Sequence, residues 1–381
     1  MNRREFLRRA TVAAVGAAGI GAATATVGRR RVAQRQAPAY GTSLGPAAAV
    51  RRSDTRKVRV GSIQPAWQRQ TWPREGVPGP ELVRRNIEEN LSLACRLLAQ
   101  AGELGCDLAV YPEDVQAIGC YLYFADLDLF ASCVETVPGP TSERIGAVAK
   151  RFGMHVVYTQ DERVGETICN AAVLVGRDGQ VIGKYHKVQL PGAERWMVAH
   201  GDSFPVFETD FGMVGMMVCY DLDFPEVARC LALNGAEMLC CPTMGTSAAW
   251  EPKENGLMRV RMRAIDNFVP TVVSSCRADS VIVDSSGAVL AMARPNTEDV
   301  IHADIDLDAT LIDRGDSMTI TGLSDVKARL LQERLPDVYA PLTAPQPPVL
   351  GRYRDKALLS PPVSRKSWIG FLQERLQRPG G

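Results

Sequence analysis

The sequence predicts an α/β domain in which helices pack in layers against a mixed β-sheet. From Lys57 to about Asp308, apolar runs typical of strands alternate with segments whose apolar residues recur every three or four positions. Two pairs of strands read as hairpins, and the first turns at Asp178-Gly179. Helices between strands favour parallel pairing, whereas hairpins require antiparallel pairing, so we expect both kinds in the sheet.

Each element follows from its local pattern. The segment KVRVGSIQP alternates as a strand, and 81–104 has the periodicity of an amphipathic helix that Gly105 ends. Thr141 or Ser142 should cap a helix that runs to Phe152. The other predicted elements, in chain order, are the strands DLAVYPE and MHVVYTQDE, the hairpin NAAVLVGRDGQVIGKYHK, the strand GMVGMMVCYD, the helix PEVARCLALNGA, the strand EMLCCPT, the helix 251–267, the strand FVPTVVSSC, the hairpin SVIVDSSGAVLAMA and the strand VIHADIDLD.

Composition excludes several classes of function. The 381 residues are 46% hydrophobic and 23% charged, which is an ordinary globular balance. A formal net charge of +1 gives no field for nucleic acid or an anionic membrane. The ten cysteines lack C-x-x-C spacing and the four histidines lack an H-E-x-x-H pattern, so no zinc site is expected. Most cysteines sit in apolar runs and read as core residues, among them Cys95, Cys133, Cys169, Cys230 and Cys276.

The two ends of the chain differ from its middle. Residues 1–28 join a basic start, MNRREFLRRA, to an Ala/Gly-rich apolar stretch, and they resemble a twin-arginine export signal. This predicts a periplasmic or extracellular protein, tethered to the membrane if the signal stays uncleaved. Residues 29–55 read as a linker and 56–313 as the α/β domain. Residues 314–381 form a C-terminal extension with a Pro-rich tail and a short amphipathic helix at 367–378.

Three predicted strands end on a reactive side chain: DLAVYPE on Glu113, VIGKYHK on Lys187 and MMVC on Cys219. Ligands of open α/β sheets bind outside the carboxyl ends of strands. A thiol, a carboxylate and an ammonium are the groups that nucleophilic acyl transfer uses. Each also has a structural interpretation, as a core thiol, a loop cap or a solvated lysine, and spacing alone does not show that they meet. The sequence has neither a glycine-rich phosphate loop after its first strand nor a G-x-S-x-G elbow.

The segments YPED, GKYHKVQLPG and CYDLDFPEVAR, in this order, resemble the signature segments of the nitrilase superfamily, the carbon–nitrogen hydrolases. The likeness runs from about residue 57 to 310 and includes Asn170, placed before a strand. It implies a four-layer αββα sandwich, homodimers or higher homo-oligomers, and a catalytic set of Glu113, Lys187 and Cys219. Glu194, ahead of a Gly-Asp pair, matches a second glutamate of the amide-cleaving members.

The resemblance also implies roles for the site residues. Glu113 would take the thiol proton, and Lys187 would lower the thiol pKa and stabilise the oxyanion together with the backbone N–H of Tyr220. Tyr121 and Trp196 are candidates for the substrate pocket. This chemistry requires neither a metal nor an organic cofactor.

Tyr220 and Asp221 follow the cysteine where true nitrilases of this superfamily have Trp-Glu. The pattern is similar to that of amidases and N-carbamoyl amine hydrolases, so we expect a hydrolase of small amides or carbamoyl compounds. The alternatives are a nitrilase, an N-acyltransferase and a non-catalytic binding protein with the same fold. The arginines of the helix 251–267 are expected to be solvated or to hold a dimer, with a substrate carboxylate as their other candidate partner; they are Arg259, Arg261 and Arg263.

Overall fold

Two six-stranded sheets form the centre of the molecule. The computed structural model describes residues 56–65, 79–119, 122, 126–245, 254–276, 280–309 and 325–351. The strands in these ranges are β1 Lys57–Gln64, β2 Leu108–Val110, β3 His155–Val164, β4 Thr167–Val175, β5 Val181–His186, β6 Val206–Glu208, β7 Met213–Met216, β8 Met238–Thr243, β9 Thr271–Ser275, β10 Val281–Val283, β11 Val289–Met292 and β12 Asp299–Asp306. The first sheet has the order β12-β1-β2-β3-β4-β5, and the second has the order β11-β10-β9-β8-β7-β6.

Four of the helices in the described ranges form the two outer layers. The helices are α1 Pro80–Glu103, α2 Leu127–Cys133, α3 Pro140–Phe152, α4 Pro225–Leu233, α5 Glu254–Asn267, α6 Val326–Gln332 and α7 Ala340–Thr343. Shorter 3-10 turns lie at Gly192–Trp196, Cys219–Asp223 and Pro336–Val338. Helices α1 and α3 cover one face of the first sheet, where Leu98 and Ile145 are buried. Helices α4 and α5 cover the second sheet, where Leu231 and Val260 are buried.

A third apolar cluster joins the sheets face to face. Val110 and Leu174 of the first sheet share it with Met216 and Cys240 of the second. Alternation places one side of each strand in this cluster and the other under the helices. The layers are therefore helix, sheet, sheet and helix, as the resemblance implied, and the mixed pairing expected from the sequence occurs within two sheets rather than one.

Several boundaries differ from the predicted ones. Strand β2 ends at Val110, not at Glu113, and β7 ends at Met216, not at Cys219. Asn170 lies inside β4 rather than before a strand. Gly139 is the N-cap of α3, and Ser142 accepts a hydrogen bond from its backbone N–H, so the predicted cap residue acts from inside the helix. The short α2 and β6 had no clear sequence pattern.

Some predicted features lie outside the described residues. These are the export signal and linker at 1–55, Tyr121, and the tail helix at 367–378. Among the described residues, no helix has the length and apolar character needed to cross a membrane.

Candidate active site

The two sheets bring the predicted reactive residues to one edge. Strands β2 and β3 run parallel, and β5 has the direction of β3 because β4 is antiparallel to both. Glu113 and Lys187 therefore follow strands that end at the same edge of the first sheet. Cys219 follows β7 of the second sheet, which packs face to face against the first. Cys219 and its two predicted partners thus come from opposite sheets.

Lys187 lies at the centre of the site. Its Nζ donates to Glu113 Oε1 at 2.8 Å and to Glu194 Oε2 at 2.9 Å. The lysine is 1% exposed, Glu113 3% and Glu194 8%, so solvent screens these ion pairs poorly. Burial alone would lower the pKa of the Lys187 ammonium, but the charges of Glu113, Glu194 and Cys219 raise it well above its ordinary value. These charges therefore favour the protonated, cationic form of Lys187.

Asn170 was recognised as part of the sequence likeness but was not predicted as a site residue. Its Nδ2 donates to Glu113 Oε1 and to Glu194 Oε1, each at 3.0 Å. Its backbone oxygen accepts from the N–H of Lys187 at 2.9 Å, which ties the lysine loop to β4. Since Lys187 and Asn170 both bind the two glutamates, they hold those carboxylates in a fixed relation.

Cys219 is half-buried and opens the 3-10 turn Cys219–Asp223. Its φ of +47° lies in the left-handed region, where non-glycine residues are uncommon, and such backbone conformations occur frequently at active sites. The thiol lies within hydrogen-bonding reach of Glu113 and of the Thr243 side chain. Thr243 ends β8, beside β7, and sequence reasoning did not select it.

The charge of Lys187 lowers the pKa of the Cys219 thiol, as predicted, but the net shift of that pKa is upward. Burial and the negative charge of Glu113 outweigh the attraction of Lys187 and raise the pKa of the Cys219 thiol to about 12. For Glu113 the balance is the reverse. Burial raises its pKa, but the charge of Lys187 and the hydrogen bonds from Lys187, Cys219 and Asn170 together lower it. The resting site therefore contains a thiol beside a carboxylate.

Asp221 connects the cysteine turn to the lysine loop. Its fully buried carboxylate accepts from Tyr185 Oη at 2.8 Å, from Val218 N at 2.9 Å and from Gln189 N at 2.8 Å. Burial raises the pKa of this carboxyl to about 6 despite the hydrogen bonds that oppose the shift. Asp221 thus fixes the backbone of both segments that carry reactive groups.

Of the arginines of α5, Arg261 is exposed, as expected, whereas Arg263 is buried against the backbone. Arg263 is 7% exposed, and its Nε donates to the carbonyl oxygen of Leu222 at 3.0 Å, within the turn that begins at Cys219. Arg261 donates to the carbonyl oxygen of Gly287 at 2.8 Å. Arg263 therefore holds the backbone of the turn that begins at Cys219.

The remaining predicted site residues in the described ranges are Tyr220 and Trp196. Tyr220 directly follows the nucleophile, and its ring packs edge-on against Phe224 at 5.1 Å. Trp196 is half-buried at the end of the 3-10 turn that carries Glu194. Within the described part of the chain, no hydrogen bond or ring contact joins Trp196 to Cys219. Of the cysteines expected in the core, Cys169 and Cys276 are buried, whereas Cys95, Cys133 and Cys230 are only partly so.

Comparison with known proteins agrees with this geometry. Residues 59–311 match the family model described as carbon–nitrogen hydrolase. The omega-amidase NIT2 of Xenopus tropicalis is 33% identical over 245 residues, which cover 58% of this chain and 84% of that protein. A nitrilase of Pyrococcus abyssi is 32% identical over 230 residues, with coverage of 58% and 84%.

Solved structures share the fold. A double mutant of the amidase from Nesterenkonia sp. AN1, in complex with acrylamide, aligns with a TM-score of 0.55 at 21% identity, covering 75% of this chain and 97% of that one. A carbon–nitrogen hydrolase from Helicobacter pylori G27 aligns with a TM-score of 0.57 at 22% identity, covering 76% and 98%. These alignments confirm the predicted fold class.

Proposed function

The chain belongs to the carbon–nitrogen hydrolase family of the nitrilase superfamily, and from this premise we propose that it hydrolyses a small non-peptide amide or N-carbamoyl amine through a thioester on Cys219. The membership confirms the resemblance seen in the sequence and makes the chain an enzyme that acts on C–N bonds. The observation that supports the proposal most is the buried contact of Lys187 with Glu113 and Glu194, beside the thiol.

In the proposed first step, Cys219 attacks the substrate carbonyl carbon while its proton passes to Glu113. A sulfur–carbon bond forms, and the carbonyl electron pair moves to oxygen. Lys187 and the backbone N–H of Tyr220 stabilise this oxyanion. Because the thiol pKa is about 12, free thiolate is scarce at neutral pH. Proton transfer to Glu113 therefore accompanies the attack rather than preceding it.

The later steps reuse the same carboxyl. The protonated Glu113 gives its proton to the leaving nitrogen, the C–N bond breaks, and ammonia or an amine departs from a thioester. Glu113, again a carboxylate, accepts a proton from water as the water oxygen attacks the thioester carbon. The C–S bond then breaks, and the sulfur regains a proton from Glu113. Throughout, Glu194 holds Lys187 and balances its charge.

The residues after the nucleophile favour amides over nitriles. Tyr220 and Asp221 differ from the Trp-Glu pair that marks true nitrilases in the sequence resemblance. The omega-amidase relatives of the chain also agree with amide cleavage. A nitrilase is nonetheless among the relatives at comparable identity, so nitrile hydrolysis is the alternative to test.

The test is ammonia release from a matched panel of nitriles, small amides and N-carbamoyl amines. We expect turnover of an amide or carbamoyl compound and its loss in Cys219→Ala. The Cys133→Ala variant is a matched control, because Cys133 is a partly buried cysteine of α2 that lies outside the proposed site. Equal rates for the parent and Cys219→Ala would refute the role of the nucleophile. A higher kcat/KM for a nitrile would refute the assignment to amides.

A further inference from the structure

A small polar cavity lies behind the two glutamates of the proposed site. Its lining includes Glu113, Glu194, Asp114, Asp161 and Asn170. The volume open to the centre of a water-sized molecule is about 10 Å³. One bound water needs roughly 10–15 Å³ on this measure and two to four polar partners. The cavity therefore has room for one small polar molecule or ion.

Asp161 is the carboxylate of this cavity that lacks a partner. It is 5% exposed, and within the described residues its side chain makes no hydrogen bond. The neighbouring Asp114 differs, because its oxygens accept from the backbone N–H groups of Ile118 at 3.1 Å and Gly119 at 2.7 Å. A buried carboxylate without hydrogen bonds is costly, so Asp161 favours a donor in the cavity.

Gly119 keeps the space beside these two aspartates open. A Cβ at this position would stand 2.9 Å from Asp161 Oδ2 and 3.1 Å from Asp114 Oδ2. One oxygen of Asp161 and one of Asp114 therefore both lie close to Gly119. Any residue larger than glycine would displace them or fill the space between them.

The cavity presents the acceptor oxygens of four carboxyl groups, and its lining also includes Gln160, whose Nε2 is a buried donor with no partner among the described residues. The amide of Asn170 already donates to Glu113 and Glu194. Lys187 is the cation that contacts this cluster in the described part of the chain, and it donates to the same two glutamates. Four carboxyl groups therefore line the cavity, and the ammonium group of Lys187 pairs with two of them. Burial, together with repulsion from Asp114, Glu194 and Glu113, raises the pKa of Asp161 well above its ordinary value. A second positive charge would relieve this repulsion.

We propose that this cavity binds an ammonium ion, with Asp161 as its principal ligand and Asp114, Glu113 and Glu194 as the surrounding acceptors. Ammonium has four N–H donors, no acceptor and about the size of water, whereas a water molecule has only two donors. In the part of the chain that the structure describes, no three acidic, histidine or cysteine side chains converge as metal ligands do. An ammonium ion would bind these acceptors through hydrogen bonds of about 2.9 Å, which are longer than metal–oxygen bonds of about 2.0–2.6 Å.

The proposal deepens the function proposed above, since ammonium is the expected product of amide cleavage next to Glu113. The cavity would hold that product beside Glu113, the proposed general base. Its test nevertheless requires no turnover, so it can fail or succeed separately from the assignment of the substrate.

The test uses the full chain carrying Cys219→Ala, which should not turn over substrate. Thermal unfolding is followed in ammonium chloride and in sodium chloride at equal concentration. A ligand at about ten times its Kd raises the midpoint of a domain this size by about 2–4 °C. We expect such a rise with ammonium and not with sodium. Tetramethylammonium chloride, whose cation is too large for the cavity, should give no rise.

Two substitutions locate the effect. Asp161→Asn keeps the shape of the side chain but cannot ionise to pair with a cation, and it should abolish the ammonium-specific rise. Gly119→Ala should do the same by filling the space, and it provides a second variant if Asp161→Asn folds poorly. Asp337→Asn, at an exposed position far along the chain, is the matched control and should keep the rise. Equal midpoints in the two salts, or an undiminished rise in Asp161→Asn, would overturn the proposal.

Discussion

Replacing Lys187 by Met should destabilise the protein and reverse the pH dependence of its site. Methionine has nearly the length of lysine, so the change removes the charge and the donors while largely preserving packing. Glu113 and Glu194, 3% and 8% exposed, would then face each other without a cation. Removing one partner of a buried ion pair costs about 3–5 kcal/mol of unfolding free energy. We expect a loss in this range at pH 7.

The pH dependence distinguishes lost charge from lost packing. In the parent, the pKa of Glu113 is lowered in the folded state. Its contribution is therefore present above the unfolded glutamate pKa of about 4.3 and is lost as pH falls through the folded value. In Lys187→Met the folded pKa should rise above the unfolded value. The folded protein then binds protons more tightly, so the deficit relative to the parent should shrink between pH 7 and pH 5.

Urea unfolding of the parent and variant at several pH values measures this difference. The double variant Lys187→Met with Glu194→Gln supplies the control, because one fewer buried carboxylate should recover part of the loss at pH 7. A deficit below about 1 kcal/mol, the worth of an exposed ion pair, would contradict the central electrostatic role of Lys187. So would a deficit that does not change with pH.

Three further predictions concern the thiol, the amide and the export signal. The rate of Cys219 alkylation in the free enzyme should be low at pH 7 and should still increase above pH 9, because the thiol pKa is about 12. Mass spectrometry measures this rate, and a plateau near pH 7 would indicate a preformed thiolate. Asn170→Leu should lower kcat at least tenfold and the unfolding free energy by about 2 kcal/mol, because hydrogen bonds to two charged groups are lost. Unchanged kinetics in Asn170→Leu would show that Asn170 has no role in the reaction. Replacing Arg3 and Arg4 by Lys should retain the protein in the cytoplasm of an expressing bacterium, as judged by fractionation and immunoblotting, and undiminished export would count against the twin-arginine interpretation.

Two kinds of feature could be predicted from the sequence: elements with periodic apolar residues, and residues that lie in recognisable sequence motifs. The apolar spacing in 81–104 corresponds to α1, and Asp178-Gly179 turns between β4 and β5. Glu113, Lys187 and Glu194 were selected by their segments, and the structure places them in contact. The catalytic roles of these residues, and of Cys219, stay predictions.

The residues that the sequence did not reveal act through pairing between distant segments. Asn170 is one polar residue in an apolar strand, and only the register of β4 opposite Asp161 and beside the lysine loop brings it to both glutamates. Asp221 and Arg263 likewise show their roles only through partners on other segments. The direction of the shift in the Cys219 thiol pKa could not be predicted without knowing how deeply the thiol is buried, and that burial depends on how closely the two sheets pack.

The division of the site between two sheets explains why the proposed nucleophile, Cys219, rests as a thiol rather than as a thiolate. Cys219 belongs to the second sheet, while Glu113 and Lys187 belong to the first, so the thiol meets a carboxylate whose charge Lys187 already partly neutralises. That carboxylate raises the thiol pKa, and it is also the proposed acceptor of the thiol proton. A substrate carbonyl placed near Lys187 would draw developing negative charge toward the ammonium and away from sulfur. The thiol should therefore lose its proton only when a carbon is in position to bond with it, which protects the free enzyme from adventitious alkylation and oxidation.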